Sequence, residues 1–128
     1  MSAGPVTHEN FEEVEAVFGV ALRFWRSAKD FIHGARAIVA RLDGAPAAIC
    51  YAAAASAGRA EIDVLTEPAH RQRGAARFAV AHFIDRCLAD GMAPLWDCFS
   101  NNVASVQLAR ASGFRPASPP YPFFTIPR

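Results

Sequence analysis

Residues 61–77 read Glu-Ile-Asp-Val-Leu-Thr-Glu-Pro-Ala-His-Arg-Gln-Arg-Gly-Ala-Ala-Arg. The first six predict a strand, in which β-branched and apolar side chains alternate with carboxylates. Pro68 then marks a turn, Arg71-x-x-Gly74-x-Ala76 follows it, and an amphipathic helix starts directly behind. A strand that passes to a helix through a loop with exposed backbone N–H groups makes an anion site. The helix N-terminus adds positive potential and the neighbouring arginines add more. The ligand this implies is a phosphate-bearing cofactor.

Working outward, Gly74 to Asp90 is the clearest helix. Ala76, Val80, Phe83, Ile84, Cys87 and Leu88 form its apolar stripe, and Gly91 stops it at the C′ position. Before the segment, Ala35–Leu42 and Ala47–Ala55 read as strands joined at Asp43-Gly44, a strong two-residue hairpin signal. Ser56–Arg59 is the next turn and Ala60–Thr66 the third strand, so residues 35–66 form an antiparallel meander. The run of alanines in the second strand points to a tight contact on one face. Thr7 to about Ala28 has helical periodicity, with Phe11, Val14, Leu22 and Trp25 on the apolar side. Its early glutamates and late basic residues suit the helix dipole.

After the clearest helix, Pro94–Phe99 reads as a short strand. A helical crossover makes it parallel to the third strand. Asn101 or Asn102 caps a last helix that runs to about Ser112 and ends at Gly113. The tail 115–128 holds five prolines and is expected to be extended, with a short strand around Tyr121–Ile126.

The 128 residues suit one domain spanning 1–128, and 52% hydrophobic content with 10 Phe supplies a core. A net charge of +1 gives no basic field for nucleic acid. No apolar run is long enough to span a membrane. Cys50, Cys87 and Cys98 are odd in number and widely spaced, which fits a reducing cytoplasm better than disulfides. No spacing of His, Cys or carboxylates suggests a metal.

Three pieces stand in order: Arg71-Gln72-Arg73-Gly74-Ala75-Ala76, the parallel strand Leu95-Trp96-Asp97-Cys98, and Asn102-x-x-Ser105-x-x-Leu108-Ala109-x-x-x-Gly113-Phe114. Together they resemble the GNAT N-acetyltransferase superfamily, in a bacterial branch, most specifically over residues 60–114. The resemblance implies an α/β fold of α+β kind. It has a largely antiparallel mixed sheet with a splayed parallel strand pair and helices on both faces. It also implies an enzyme that moves an acetyl group from acetyl-CoA directly to an amine of a small molecule or a protein. The N–H groups of residues 72–76 would hold the pyrophosphate, with Arg71 or Arg73 adding charge. Gly74 and Ala76 would keep the approach open. Leu65 and Thr66 would offer backbone to the pantetheine arm, with the N–H of Leu65 or its neighbour polarising the thioester. Asn102 and Ser105 would face the cofactor from the last helix.

The pattern is also broken in places. Family members often carry a Tyr immediately after the Leu of the last helix, as acid toward the leaving thiolate. This chain has Ala109 there. Cys98 and Tyr121 are the substitutes the sequence offers. Glu61 and Asp63 lie two apart on a strand, so they share a face, and either is a candidate base. Only six residues precede the first helical stretch, so the N-terminal strand of the fold is expected to be missing. A homodimer is one way to complete such a sheet. Ala109 and the short front end also support an alternative: a degenerate module that binds coenzyme A or a protein partner without chemistry.

Overall fold

A computed structural model describes residues 1–70, 74–96, 98–99, 103–115 and 123–124. Its frame is a hairpin ladder. Strands β2 (Ile38–Leu42), β3 (Ala45–Ser56) and β4 (Arg59–Thr66) run antiparallel, as the meander predicts. Asp43 and Gly44 both take positive φ, 51° and 81°, and so do Ala57 and Gly58 at 51° and 75°. That pair of left-handed residues matches the twist of the flanking strands.

The expectation of a missing first strand is corrected. β1 (Ser2–Pro5) pairs antiparallel with β2, from Ser2 opposite Arg41 to Pro5 opposite Ile38. Four residues that include Gly4 and Pro5 carry almost no strand propensity. What makes them a strand is the free edge of β2, together with burial of Val6, whose N–H donates to the Ala37 carbonyl at 3.0 Å. A second copy is therefore not needed to complete the sheet.

The long first helix is corrected as well. Its periodicity is spread over α1 (Phe11–Phe18), α2 (Ala21–Phe24) and α3 (Ala28–Gly34). Gly19 turns the chain at φ 62°, and the Glu15 carboxylate accepts the N–H groups of Val20 and Ala21 at 2.8 and 3.1 Å. Trp25 is extended, and Ser27 caps α3 by accepting the Asp30 N–H at 3.1 Å. Val14, Phe18 and Phe31 from these helices bury against Val39, Ile49 and Tyr51 on one face of the sheet.

Helix α4 (Ala75–Ala89) covers the other face. Its Ala75, Ala79, Val80, Phe83 and Cys87 meet Ala48, Cys50, Ala52 and Ala60. The alanine run thus serves the close approach that its composition suggests. Burial raises the thiols of Cys50 and Cys87, the latter to about 11, so both act as small packing groups. β5 (Ala93–Leu95) joins the sheet parallel to β4, giving the order β1-β2-β3-β4-β5. The predicted strand 94–99 divides here. β6 (Cys98–Phe99) pairs instead with β7 (Phe123–Phe124) in a separate two-stranded sheet, and α5 (Val103–Ala111) lies between them in the chain.

Trp25 packs against both core clusters, and its indole N–H donates to the Ala52 carbonyl at 2.8 Å. Gly34 lies flat against that indole. A Cβ there would sit 2.7 Å from the outer ring carbon, well inside contact distance. The ring is held by its hydrogen bond and cannot yield cheaply. Gly34→Ala should therefore lower stability by about 1–3 kcal/mol although alanine is the better helix former. Urea unfolding checks this, and an unchanged midpoint would contradict it.

Candidate active site

Strand β4 is paired along its whole length on one side and along less than half of it on the other. β3 matches it from Ser56 opposite Arg59 to Ala48 opposite Thr66. β5 matches only Arg59, Ala60 and Glu61. Beyond Leu95 the chain leaves the sheet, because Trp96 is buried beside Phe114, ring centroids 5.4 Å apart, and its indole N–H donates to Ser105 Oγ at 3.0 Å. Among the described residues, Ile62–Thr66 therefore face no strand on that edge.

Which backbone groups reach the open edge follows from the ladder. The Glu67 N–H donates to the Ala47 carbonyl at 2.8 Å, so Glu67 and Ala47 form a hydrogen-bonded pair. In an antiparallel ladder such pairs alternate with pairs whose groups point outward. Leu65 and Asp63 consequently bond toward β3, while Val64, Thr66 and the Ile62 carbonyl face the gap, the Ile62 N–H lying on the side that closes the Glu61–Leu95 pairing. Of the two residues expected to offer backbone, Thr66 turns its groups to the open edge and Leu65 turns its groups toward β3. The neighbour that joins it is Val64.

The open edge leads through a single 3₁₀ turn (Pro68–His70) toward Gly74. Gly74 is the N-cap of α4 at φ 81°, a left-handed conformation that favours glycine. The first helical bond is that from the Phe78 N–H to the Gly74 carbonyl at 3.1 Å, which leaves the N–H groups of Ala75, Ala76 and Arg77 without helical acceptors. Among the described residues, a Cβ on Gly74 would meet only the terminal methyl of Met1, at 4.0 Å, so none of them blocks the approach to this helix end. Ala75 is buried in the core, so its contribution to a ligand there is its backbone. Arg71, Gln72, Arg73, Asn102 and Tyr121 lie outside the described residues, and of Cys98 only the backbone is described. Ser105 has its hydroxyl engaged by Trp96. Ala109 is buried in the same cluster as Trp96 and Phe114, on the packed side of α5.

Glu61 and Asp63 do share a face, opposite Ala54 and Tyr51. It is the face covered by α1–α3, since Tyr51 packs on Phe31 with centroids 5.6 Å apart. Glu61 is exposed and lines a cavity of about 310 Å³ with Ala54, Ser56, Ala57, Arg59 and Leu95. Asp63 is tied down. Its Oδ2 accepts the Tyr51 hydroxyl at 2.5 Å and its Oδ1 accepts the Val64 N–H at 3.0 Å. Burial, and then the Asp63 carboxylate, push the Tyr51 phenol far above its ordinary range, while Arg23 pulls the other way. Sequence reading missed Tyr51. The only signal was its position as the one large polar side chain within an alanine strand, opposite an aspartate.

No helix among the described residues is long and apolar enough to cross a membrane. Among the same residues no group of three or more His, Cys, Asp or Glu converges as metal ligands would.

A family profile described as GNAT acetyltransferase matches residues 6–124. The chain belongs to the GNAT acetyltransferase family. Over 57 residues it is 39% identical to the uncharacterized N-acetyltransferase YdfB of Bacillus subtilis (strain 168), a stretch that is 44% of this chain and 22% of that protein. Its fold is similar to that of a GCN5-related N-acetyltransferase-like protein from Streptococcus suis 89/1591, with a TM-score of 0.77 and 21% identity over 88% of this chain and 45% of that one. It is similar also to aminoglycoside N-acetyltransferase AAC(6')-Iy in complex with CoA, with a TM-score of 0.72 and 15% identity over 94% and 96% of the two chains. Both structural likenesses are likenesses of fold. The chain spans about a fifth of the length of YdfB and less than half of the S. suis protein. The splayed strand pair and the open helix N-terminus are the parts of this GNAT domain that its sequence motifs flank.

The Tyr51–Asp63 bond makes a measurable statement about pH. Unfolded tyrosine ionises near about 10, and the folded Tyr51 resists ionisation to higher pH. The stability from this proton is complete below that value and is lost as pH rises past it, because the unfolded chain then binds fewer protons than the folded one. Tyr51→Phe should cost about 1–2 kcal/mol at neutral pH by leaving Asp63 one donor short. The gap to wild type should narrow above pH ~10, as read by denaturant unfolding at a series of pH values. A constant gap would show that the bond does not hold the proton.

Proposed function

We propose that this GNAT domain, spanning residues 1–128, is an N-acetyltransferase that moves an acetyl group from acetyl-CoA directly to an amine, without a covalent enzyme intermediate. The observation that carries the reading is the five-residue open edge of β4 leading to the uncapped N-terminus of α4. An extended amide-bearing arm can pair with the first, and an anionic pyrophosphate suits the second. The residues present fit such a ligand: Gly74 leaves the approach clear, and three backbone N–H groups stand free of helical acceptors. Arg71 and Arg73 are the cations that the loop sequence adds. Bound acetyl-CoA would supply an activated acetyl thioester.

The roles of the chain's own groups follow. The N–H groups of Thr66 and Val64 are the donors available to the thioester oxygen as it gains negative charge, an effect typically worth ~3 kcal/mol. Asp63 Oδ1 accepts the Val64 N–H, which leaves Thr66 the readier of the two. Glu61, in the cavity, takes the proton that the amine sheds as the nitrogen–carbon bond forms and the carbon–sulfur bond breaks. Asp63, bonded to Tyr51 and Val64, fixes the charge beside it. Ala109 offers no acid, so the departing thiolate takes its proton from water. That step is tolerable because a thiolate is a good leaving group. Buried Cys50 and Cys87 kept as thiols agree with work in a reducing cytoplasm. Ala109 favours a second reading, a module that binds coenzyme A without transfer.

Calorimetry with acetyl-CoA and with coenzyme A tests the cofactor, and an amine panel followed by thiol release tests the transfer. Gly74→Glu should weaken binding by ~100-fold or more, through strain at positive φ and a carboxylate at the anion site. Unchanged affinity would remove the loop assignment. Glu61→Gln should lower kcat by ~100-fold or more, whereas a loss of that size in Asp63→Asn with Glu61→Gln near wild type would make Asp63 the base. Tight coenzyme A binding with no turnover on any amine would favour the second reading.

A further inference from the structure

Arg59 is the charged group on this face that neither the fold nor the transfer chemistry uses. It stands opposite Ser56 and two residues before Glu61. Same-face neighbours on a strand are about 7 Å apart, close enough for an arginine and a glutamate to pair. They do not. The ion pairs among the described residues are Arg36–Asp90 and Arg41–Glu13, and Arg59 makes no hydrogen bond to a described residue. Instead Arg59, Ser56 and Glu61 open side by side into the cavity of about 310 Å³, with Leu95 and two alanines as its apolar walls. Opposite charges held apart around an apolar-walled hollow match a molecule that bears both charges.

We propose that this cavity takes a small amine that also carries an anionic group, a carboxylate or a phosphate, with Arg59 and Ser56 holding the anion and Glu61 meeting the amine. The assignment of that molecule as the acetyl acceptor rests on the transfer reading above, while its binding does not. The orientation follows from the strand. β4 runs from Arg59 at the Ala57-Gly58 turn toward the open edge at Ile62–Thr66. An anion at the turn end therefore puts the amine at the end where the acetyl group would arrive. The reverse pose sets an ammonium against a guanidinium. The size also argues for a small molecule, because the volume lies at the lower end of ligand pockets, which run from about 300 to 1,000 Å³. Arg59 is exposed, so its selectivity is of the order of tenfold rather than thousands.

The test uses ω-amino carboxylates of two to six carbons, aminoalkyl phosphates of the same lengths, and the matching alkylamines. Each is titrated calorimetrically into the protein with and without saturating coenzyme A, and each is assayed for acetylation. At one chain length or more, an anionic amine should bind about tenfold more tightly than its alkylamine. Whether the carboxylate or the phosphate series wins identifies the anion. Arg59→Gln should bring the matched pair within about threefold, Arg59→Lys should restore part of the preference, and Arg59→Glu should turn it toward diamines. Coenzyme A affinity, measured in parallel, reports that each variant is folded. A wild-type ratio near one in both series, or a ratio that survives Arg59→Gln, overturns the proposal. Arg59-dependent binding without acetylation sinks the transfer reading and leaves this site standing. Acetylation of alkylamines with no preference for the anion does the reverse.

Discussion

The parting of β4 and β5 after three residues is the constraint on which the rest depends. A parallel pair normally continues as long as both strands can supply donors and acceptors. Here the chain turns away after Leu95, because Trp96 is drawn into a cluster with Phe114 and Ser105. Among the described residues, the backbone of β4 beyond its pairing with Leu95 has no strand partner on that side. Such an edge must be met by water, by another strand or by a ligand with amide groups. Pairing with β3 on the other side continues to Thr66, across one register shift between Ala52 and Ala54, so the gap is a feature of the sheet rather than a frayed end.

The two faces of the sheet then divide the labour. On one, alanines of β3 and β4 let α4 settle close, which aims its N-terminus at the end of the β4 edge. On the other, α1–α3 cover the sheet as far as Tyr51 and leave the stretch from Asp63 back to Arg59 within reach of solvent. Trp25 joins the two cores, and through Ala52 it anchors the helical side to the strand that supports β4. The anion site and the carboxylates therefore lie on opposite faces of one strand, with the gap between them. That separation suits a ligand whose charged end and reactive end have different jobs.

Several elements could be read from local chemistry alone. Asp43-Gly44 imposed the hairpin because both residues accept positive φ, and Gly91 closed α4 for the same reason. The α4 stripe declared itself through its spacing, and Glu61 and Asp63 through the two-residue repeat of a strand. The failures have equally local causes. β1 has no propensity of its own and exists because β2 had an edge to fill. The first helical region kept its apolar period while Gly19, the Glu15 carboxylate and Trp25 broke its backbone. Tyr51 and Arg59 looked like strand filler and turn, since nothing in one dimension says what stands across a ladder.

The sequence by itself determined which residues carry anion-binding and acid–base chemistry, their order along the chain and the family to which they belong. These depend on side-chain type and on short spacings that helices and strands preserve. Only the tertiary structure decided that Val64 and Thr66, rather than Leu65, turn their N–H groups to the gap, because that depends on hydrogen-bond phase with β3. It alone placed Tyr51 on Asp63 and left Arg59 beside Glu61 without a partner among the described residues, because cross-strand register and the place where β5 departs are set by packing between segments far apart in the chain.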